Sequence, residues 1–404
     1  MRRFSAKSAA CAAALCTIAL VSACGAAPAG RADGNASSGS ASSGAGTTTR
    51  TASAPAPVPT CVPPVQPADS FRPVGVSFSS ASDGWLLGVP LSACTPNSFV
   101  QLRKTTDGGL KWTKAGAPAA PWSGGPVTPS GGVSAVLFGN AKDGWAYGPG
   151  LWATHNGGAS WHRISTHGYA VYSMAATGTS VLAAFDKCGQ AAASCDSPET
   201  FAIETAAVHT DTWRAVRGAT GKGAPRLTAE AGVAYAYGAI RTSPAAVKLG
   251  LLTGPANGSK AWHSAATPCA PGAVTASAVT ASHLLLGCAL LGAHPATTRL
   301  YSSGDSGVKW KLFATLGLYD GASVLEQTPN GTLLVGGIYN GIALSHNGGR
   351  TWTSPAVDKS TAVGGGAVIL AALTTNADGY LLVAQNAFWI TRNGGKTWTQ
   401  VQVR

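Results

Sequence analysis

The chain has 404 residues, of which 52 are glycine and only 11% are charged, and its formal net charge is +12. Twelve tryptophans beside so few charges exclude a disordered polypeptide and favour short strands joined by tight turns. The Lys and Arg residues are scattered and form no dense basic run, so we expect no nucleic-acid partner.

The N-terminal residues 1–23 are predicted to be a lipoprotein signal peptide. A short positively charged region precedes an apolar stretch over 8–20, which is too short to span a bilayer comfortably. The following Val-Ser-Ala-Cys-Gly resembles a bacterial lipobox, in which Cys24 takes a diacylglyceryl group and becomes the first residue. The alternative is an ordinary secretory signal with an incidental cysteine. We expect a protein anchored by lipid to the extracytoplasmic side of the cell membrane.

Residues 24–60 are predicted to be a flexible tether behind the lipidated cysteine. Gly, Ala, Ser and Thr dominate the segment, and proline becomes frequent at its end. This composition cannot bury a core, and prolines stiffen the chain near the folded part. The folded domain is therefore assigned to 61–404.

Short apolar runs joined by Asp-Gly recur along that domain, as at 76–88 and 135–148. Asp-Gly between apolar runs predicts a β-hairpin, with glycine expected to supply a positive φ. The apolar stretch 273–291 fits the same pattern and is predicted to be a buried hairpin, because polar residues interrupt it.

A second motif follows each of five hairpins: Ser/Thr, one residue, Asp/Asn, one residue, Gly, two residues, Trp. Its acidic or amide residue is Asp107, Asn156, Asp305, Asn347 or Asn393. Its tryptophan is Trp112, Trp161, Trp310, Trp352 or Trp398.

Two further units, 205–213 and 253–262, lack the motif but keep a strand, a polar turn and a tryptophan. The seven tryptophans follow one another at intervals of 42 to 52 residues, and each unit holds four short strands. Four-stranded units at this period predict a β-propeller. The expected fold is therefore an all-β, seven-bladed propeller of antiparallel blades.

The motif resembles the Asp-box, or BNR, repeat of a β-propeller family that includes sialidases. In that family the box caps the turn between the third and fourth strands and lies far from the catalytic centre. The resemblance therefore implies that the ten box residues are structural. Among its members, the chain looks most like the photosystem II assembly factor group, which implies a non-catalytic binding or assembly scaffold.

The alternative within this family is a sialidase-like glycoside hydrolase acting on extracellular glycans. The sequence Phe-Arg-Pro at 71–73 lacks the isoleucine of the sialidase signature, and sialidases have six blades. Among the carboxylates outside the predicted turns, those expected in loops form no recognisable pair: Asp186, Asp196, Glu199, Asp320 and Asp358. No catalytic residue, cofactor or metal site is therefore assigned, and His155 and His346 are expected to face solvent.

Six cysteines remain after the leader and the lipidated residue: Cys61, Cys94, Cys188, Cys195, Cys269 and Cys288. An even number in an exported protein predicts disulfides. In a propeller all six can reach the face opposite the boxes, which favours the pairs 61–94, 188–195 and 269–288.

The same face is predicted to bind the partner. It is expected to carry long loops, an exposed Trp122 and four basic residues: Arg217, Lys222, Arg226 and Arg241. Disulfide-held loops suit recognition, because preorganisation lowers the entropic cost of binding. An anionic glycan or an acidic protein loop fits this chemistry, and a monomer is expected. The alternative is that the disulfides only protect an exported protein from proteolysis.

Overall fold

The computed structural model describes residues 71–90, 98–123, 131–187, 200–243, 246–269, 274–289, 297–317, 322–337, 341–354, 368–383 and 387–403. These residues form 26 strands, and no helix occurs among them. Accordingly, the described part of the chain contains no helix that could cross a membrane.

The strands form six antiparallel sheets, numbered here in chain order. Sheet 1 contains β1 Phe71–Phe78, β2 Gly84–Pro90, β3 Gln101–Thr105 and β4 Thr113–Ala115. Sheet 2 contains β5 Ala135–Phe138, β6 Gly144–Tyr147, β7 Leu151–Thr154 and β8 His162–Arg163. Sheet 3 contains β9 Ala170–Ala176, β10 Ser180–Lys187, β11 Thr200–Ala207, β12 Arg214–Glu230, β13 Val233–Ser243, β14 Ala246–Pro255 and β15 His263–Ala265.

The remaining sheets complete the order. Sheet 4 contains β16 Val274–Ala278, β17 Leu284–Ala289, β18 Thr298–Ser303 and β19 Lys311–Leu316. Sheet 5 contains β20 Ala322–Gln327, β21 Leu333–Gly337 and β22 Gly341–Ser345, with a bridge from Leu344 to Thr353 at its edge. Sheet 6 contains β23 Val368–Leu373, β24 Gly379–Val383, β25 Ala387–Thr391 and β26 Thr399–Val401. The strands β16 and β17 are the hairpin expected over 273–291.

Sheet 3 has seven strands because β12 belongs to two four-stranded halves. The first part of β12, up to Gly221, pairs with β11, and the part from Lys222 onward pairs with β13. The outer strand of one half therefore continues directly into the inner strand of the next. This junction needs no loop, unlike the described junction 164–169 between β8 and β9.

Buried apolar side chains among the described residues form seven clusters, each between consecutive sheets or halves of sheet 3. The last cluster brings sheet 6 back onto sheet 1, where the Phe78 and Tyr380 rings stack at 5.1 Å. Arg392 of sheet 6 also donates to the backbone oxygens of Asp107 and Gly108, at 2.9 and 2.8 Å. The sheets therefore form a closed ring. Burial of these apolar faces is the main force that holds the ring together.

The five motif turns share one hydrogen-bond pattern. In the first, Thr105 Oγ1 accepts from Gly109 N–H at 3.0 Å, and Asp107 Oδ1 accepts from the N–H groups of Leu110 and Lys111. The backbone hydrogen bond from Lys111 is the main reason that the pKa of Asp107 is lowered. Equivalent bonds recur in the other four turns.

The Asp-Gly hairpins correct one expectation. Gly84 and Gly144 do not adopt a positive φ. Instead, a Cβ at Gly84 would lie 2.5 Å from the Phe78 ring, and one at Gly144 would lie 2.5 Å from the Phe138 ring. Glycine is therefore required at these positions because an aromatic ring packs against the backbone.

The ring has two faces, because antiparallel strands place alternate turns at opposite ends. We call the one with the motif turns and the first-to-second-strand turns the motif face. Backbone bonds join the two kinds of turn there, such as Gly108 N–H to Ser82 O at 2.9 Å. The opposite one is called the loop face.

Candidate functional site

The described part of the loop face carries an aromatic and cationic surface on sheet 1. Trp122 follows β4 and is fixed by its N–H, which donates to Ser98 O at 2.9 Å, and by a bridge to Val133. The Arg72 guanidinium, on the second residue of β1, lies 4.7 Å from the centroid of the Trp122 ring. Phe99 lies beside this segment through its bridge to Pro121 and is 60% exposed. We call Arg72, Phe99 and Trp122 the aromatic patch.

The charge of the aromatic patch is that of the Arg72 guanidinium, which is partly buried and stacks on Trp122. Burial lowers the pKa of Arg72, although a guanidinium remains charged at neutral pH. A cation over an indole face is held by the ring quadrupole and loses little conformational freedom when it meets a partner. Trp122 itself is half-buried rather than exposed, because it packs against the core between sheets 1 and 2. That is a correction to the sequence analysis.

The four predicted basic residues lie on strands rather than in loops. Arg217, Lys222 and Arg226 belong to β12, and Arg241 belongs to β13 with its Cα opposite that of Lys222. The reason is that β12 runs through the junction inside sheet 3, where a loop was expected. Trp122 packs in the core between sheets 1 and 2, so the structure does not join it to this basic set.

Of the five carboxylates considered for catalysis, Asp196, Glu199, Asp320 and Asp358 lie outside the described residues. Asp186 is only 1% exposed, and its burial raises its pKa to about 8. A carboxyl group so deeply buried cannot reach a bulky substrate.

Two carboxyl groups that sequence reasoning missed interact on the inner strands. Glu326 on β20 has its pKa raised to about 8, mainly by burial and further by the charge of Glu230 at the end of β12. A hydrogen bond from Ser277 on β16 partly offsets this rise. Burial also raises the pKa of Glu230. No local motif marks this pair, because its members come from separate sheets.

A second group that the sequence did not reveal lies on the motif face between sheets 2 and 3. His155 Nε2 and His162 Nε2 lie 3.2 and 2.6 Å from the same oxygen, Asp211 Oδ2. His155 Nδ1 lies 2.7 Å from Asp143 Oδ1. We call His155, His162 and Asp211 the histidine cluster. His155 was expected to face solvent, and this is wrong because the neighbouring sheet supplies Asp211.

His346 occupies the same position of its own motif turn and is exposed, as the sequence predicted. Its Nδ1 lies 3.5 Å from the hydroxyl of Thr332. The two histidines therefore differ because of their neighbours and not because of the motif.

The predicted cysteines are described by the structure only in part. Cys269 and Cys288 form a disulfide, with their Cα atoms 5.3 Å apart. Four of the other cysteines, Cys61, Cys94, Cys188 and Cys195, lie outside the described residues, and so do Cys24 and the tether.

The ten motif residues serve the turns and the contacts between sheets. Trp161 Nε1 donates to Gly116 O at 2.9 Å, and Trp310 Nε1 donates to Ala266 O at 2.8 Å. Each of these acceptors follows the outer strand of the preceding sheet or half-sheet. Through these bonds Trp161 and Trp310 help to join neighbours in the ring, whereas Trp112 and Trp352 donate within their own turns.

The chain matches no protein-family model and no curated protein sequence. It is similar in structure to "YCF48 bound to D1 peptide", with a TM-score of 0.53 and 17% identity, over 80% of this chain and 93% of that one. It is also similar to YCF48 from Cyanidioschyzon merolae, with a TM-score of 0.54 and 14% identity, over 80% and 95% of the two chains. These similarities support the propeller fold. An enzyme, GH74 of Niastella koreensis, overlaps with a TM-score of only 0.35 and 13% identity, over 82% and 54%, which carries no argument.

Proposed function

We propose that this chain is a seven-bladed propeller that acts as a non-catalytic binding or assembly scaffold for a protein partner. The observation that carries the proposal is the aromatic patch, where an exposed phenylalanine adjoins a tryptophan stacked by a cation. Aromatic and arginine side chains dominate the energetics of protein interfaces. A similar propeller has been solved with a bound peptide, which supports the same kind of partner here.

The seven blades are inferred from the sheets. In this proposal sheet 3 is divided into two blades that share β12. The short segment at Thr353, which bridges to Leu344, takes the place of a fourth strand in sheet 5. The five motif turns act in this proposal as Asp-boxes that cap the third-to-fourth-strand turns. The partner then approaches the loop face, opposite the boxes.

We further propose that lipid on Cys24 and the tether 24–60 hold the propeller outside the cytoplasm, near a membrane. Acyl chains on the N-terminal cysteine would supply the anchoring free energy. Replacement Cys24→Ser should abolish incorporation of a labelled fatty acid and release the protein from the membrane fraction. Unchanged labelling would exclude this anchor.

The scaffold proposal can be tested by comparing the two faces. The intact protein is cross-linked in membranes, solubilised and recovered, and its cross-linked partners are quantified by mass spectrometry. Phe99→Ser should reduce recovery of a specific protein at least about tenfold, since an interface hot spot contributes about 1.4 kcal/mol or more.

The matched control is Leu110→Ser on the motif face, because Leu110 is 59% exposed, close to the exposure of Phe99. It should leave recovery unchanged. Equal recovery with both variants, or equal loss with both, would contradict binding at the aromatic patch. Unfolding curves of the two variants show whether either has lost stability.

Glycoside hydrolysis is a second candidate because burial, and to a lesser extent the charge of Glu230, raises the pKa of Glu326 to about 8. A carboxyl group that stays protonated at neutral pH is what a general acid requires, and a second carboxyl group beside it is the usual partner. A panel of sialosides and polysaccharides tests this. Turnover that Glu326→Gln abolishes, while the fold is retained, would replace the scaffold proposal.

A further inference from the structure

The histidine cluster has the donor atoms of a metal site. One ring nitrogen from each histidine and one carboxylate oxygen lie within 4.8 Å of one another. Both Nε2 atoms approach the same Asp211 oxygen, at 3.2 and 2.6 Å. Three ligand atoms from different parts of the ring therefore converge on one point.

Asp143 orients the first of these histidines. Its Oδ1 lies 2.7 Å from His155 Nδ1, and since a carboxylate oxygen only accepts, Nδ1 carries the proton. When a metal ion replaces the proton on the other nitrogen, the lone pair of Nε2, which points to Asp211, can bind that ion. A carboxylate behind a ligating histidine is the usual second layer of a metal site.

The surrounding turns hold these side chains in place. His155 lies inside a motif turn whose backbone is fixed by Thr154 and Asn156, and Asp143 Oδ2 accepts from Asn140 Nδ2 at 2.8 Å. Asp211 Oδ1 is buried and has no hydrogen-bond partner among the described residues. A buried carboxylate oxygen without a partner is costly, and a cation held by both oxygens of this carboxylate would satisfy it.

We propose that the histidine cluster binds one divalent transition-metal ion, best matched by Zn²⁺, through His155 Nε2, His162 Nε2 and the carboxylate of Asp211. Two imidazoles and a carboxylate suit zinc and its neighbours, whereas calcium and magnesium prefer oxygen ligands alone. The site goes beyond the proposed scaffold function and does not depend on it.

The present distances fit such an ion with small adjustments. Ligands about 2.0–2.1 Å from a tetrahedral zinc lie about 3.3 Å from one another. The observed nitrogen–oxygen separations of 2.6 and 3.2 Å are close to this value, and all three ligand atoms lie within 4.8 Å of one another. With three protein ligands and His162 52% exposed, the fourth position faces solvent and accepts water or a side chain of a partner.

The ion would join two neighbouring sheets. His155 lies in a motif turn of sheet 2 and His162 directly follows it, while Asp211 lies in the motif-free turn between β11 and β12 of sheet 3. Without a metal, the same atoms form a hydrogen-bond network of two imidazole rings around one carboxylate. The experiment must separate these two states.

The test is calorimetric titration of the full chain, without a polyhistidine tag, after treatment with a chelator. At pH 7.5, ZnCl₂ should bind as one ion per chain with a dissociation constant in the micromolar range or below. His162→Ala and Asp211→Ala should each weaken binding at least about 100-fold, and Asp143→Asn should weaken it about 10- to 100-fold without changing the stoichiometry. Co²⁺ in place of zinc should give the visible absorption of a four-coordinate ion.

The matched control is His346→Ala, which removes a histidine from the same motif position without removing a carboxylate neighbour. It should leave zinc binding unchanged. Because His162 is largely exposed, its variant tests the site even if Asp211→Ala fails to fold. Equal zinc binding by wild type and His162→Ala, or no binding at submillimolar zinc, would overturn the site and leave only the ion-pair network.

Discussion

Two neighbouring turns on the motif face use similar polar side chains in opposite ways. In the motif turn 154–161, Thr154 Oγ1 accepts from Gly158 N–H and Asn156 Oδ1 accepts from Ser160 N–H. The side chains of Thr154 and Asn156 therefore stabilise the turn itself. From the same turn, the side chain of His155 bonds to Asp211 of the neighbouring sheet 3.

In the motif-free turn 208–213 the corresponding groups bond elsewhere. Thr205, which stands where a motif would begin, donates instead to Val181 O and Ala256 O. The turn closes through backbone bonds such as Thr210 N–H to Ala207 O, so the carboxylate of Asp211 is available to the histidines of sheet 2. Loss of the motif thus released a charged side chain for contacts between sheets.

The largest expected difference is between a glycine of a motif turn and the glycine of the turn between β12 and β13. Gly395 in a motif turn and Gly232 in sheet 3 both have φ 83°, but only at Gly395 would a Cβ lie 2.6 Å from another side chain, the buried Leu344. Gly395→Ala should lower the free energy of unfolding by about 2–5 kcal/mol, from backbone strain plus overpacking. Gly232→Ala should cost only the strain, about 1–2 kcal/mol. Denaturant unfolding followed by tryptophan fluorescence measures both, and equal losses would contradict the packing argument.

The next difference concerns pH. Asn156→Ala should cost about 1–2 kcal/mol at every pH, because it removes uncharged hydrogen bonds. Burial alone would lower the pKa of His155, but hydrogen bonds to Asp143 and Asp211 and their charges outweigh it and raise the pKa. The stability from this raised pKa is fully present below the ordinary histidine range and is lost as the pH rises through the folded-state value.

Asp211→Asn should therefore destabilise the protein by under about 1 kcal/mol at pH 6, since the groups are partly exposed, and by less at pH 9. The free energies of unfolding of the wild type and the variants, measured at both pH values, check this, and EDTA in the buffer removes any bound metal. If Asp211→Asn lowered the free energy of unfolding equally at both pH values, or if the loss for Asn156→Ala depended on pH, the two turns would not differ in how they contribute to stability.

The motif turns and hairpins could be predicted from the sequence because their bonds join residues at most a few positions apart. The histidine cluster could not, since Asp211 is separated from His155 by 56 positions and meets it only when sheets 2 and 3 pack. Nor could the continuous β12: Gly218, Gly221 and Pro225 suggest a break, yet the strand changes partners through an irregular register without a loop. The basic residues Arg217, Lys222 and Arg226 therefore lie on a strand and not in a loop.

The smallest expected difference concerns the tryptophans that end the two turns. Both are partly exposed, and each meets a phenylalanine edge to face: Trp161 with Phe138 at 6.1 Å and Trp213 with Phe185 at 5.9 Å. Trp161 Nε1 donates to Gly116 O in the preceding junction, whereas Trp213 Nε1 is buried without an acceptor among the described residues. Trp161→Phe should cost about 1 kcal/mol more than Trp213→Phe, because only the first loses a hydrogen bond and the second removes an unsatisfied donor. Chemical denaturation of the two variants decides this, and an equal or larger loss for Trp213→Phe would show that the motif tryptophan adds no specific bond between neighbouring sheets.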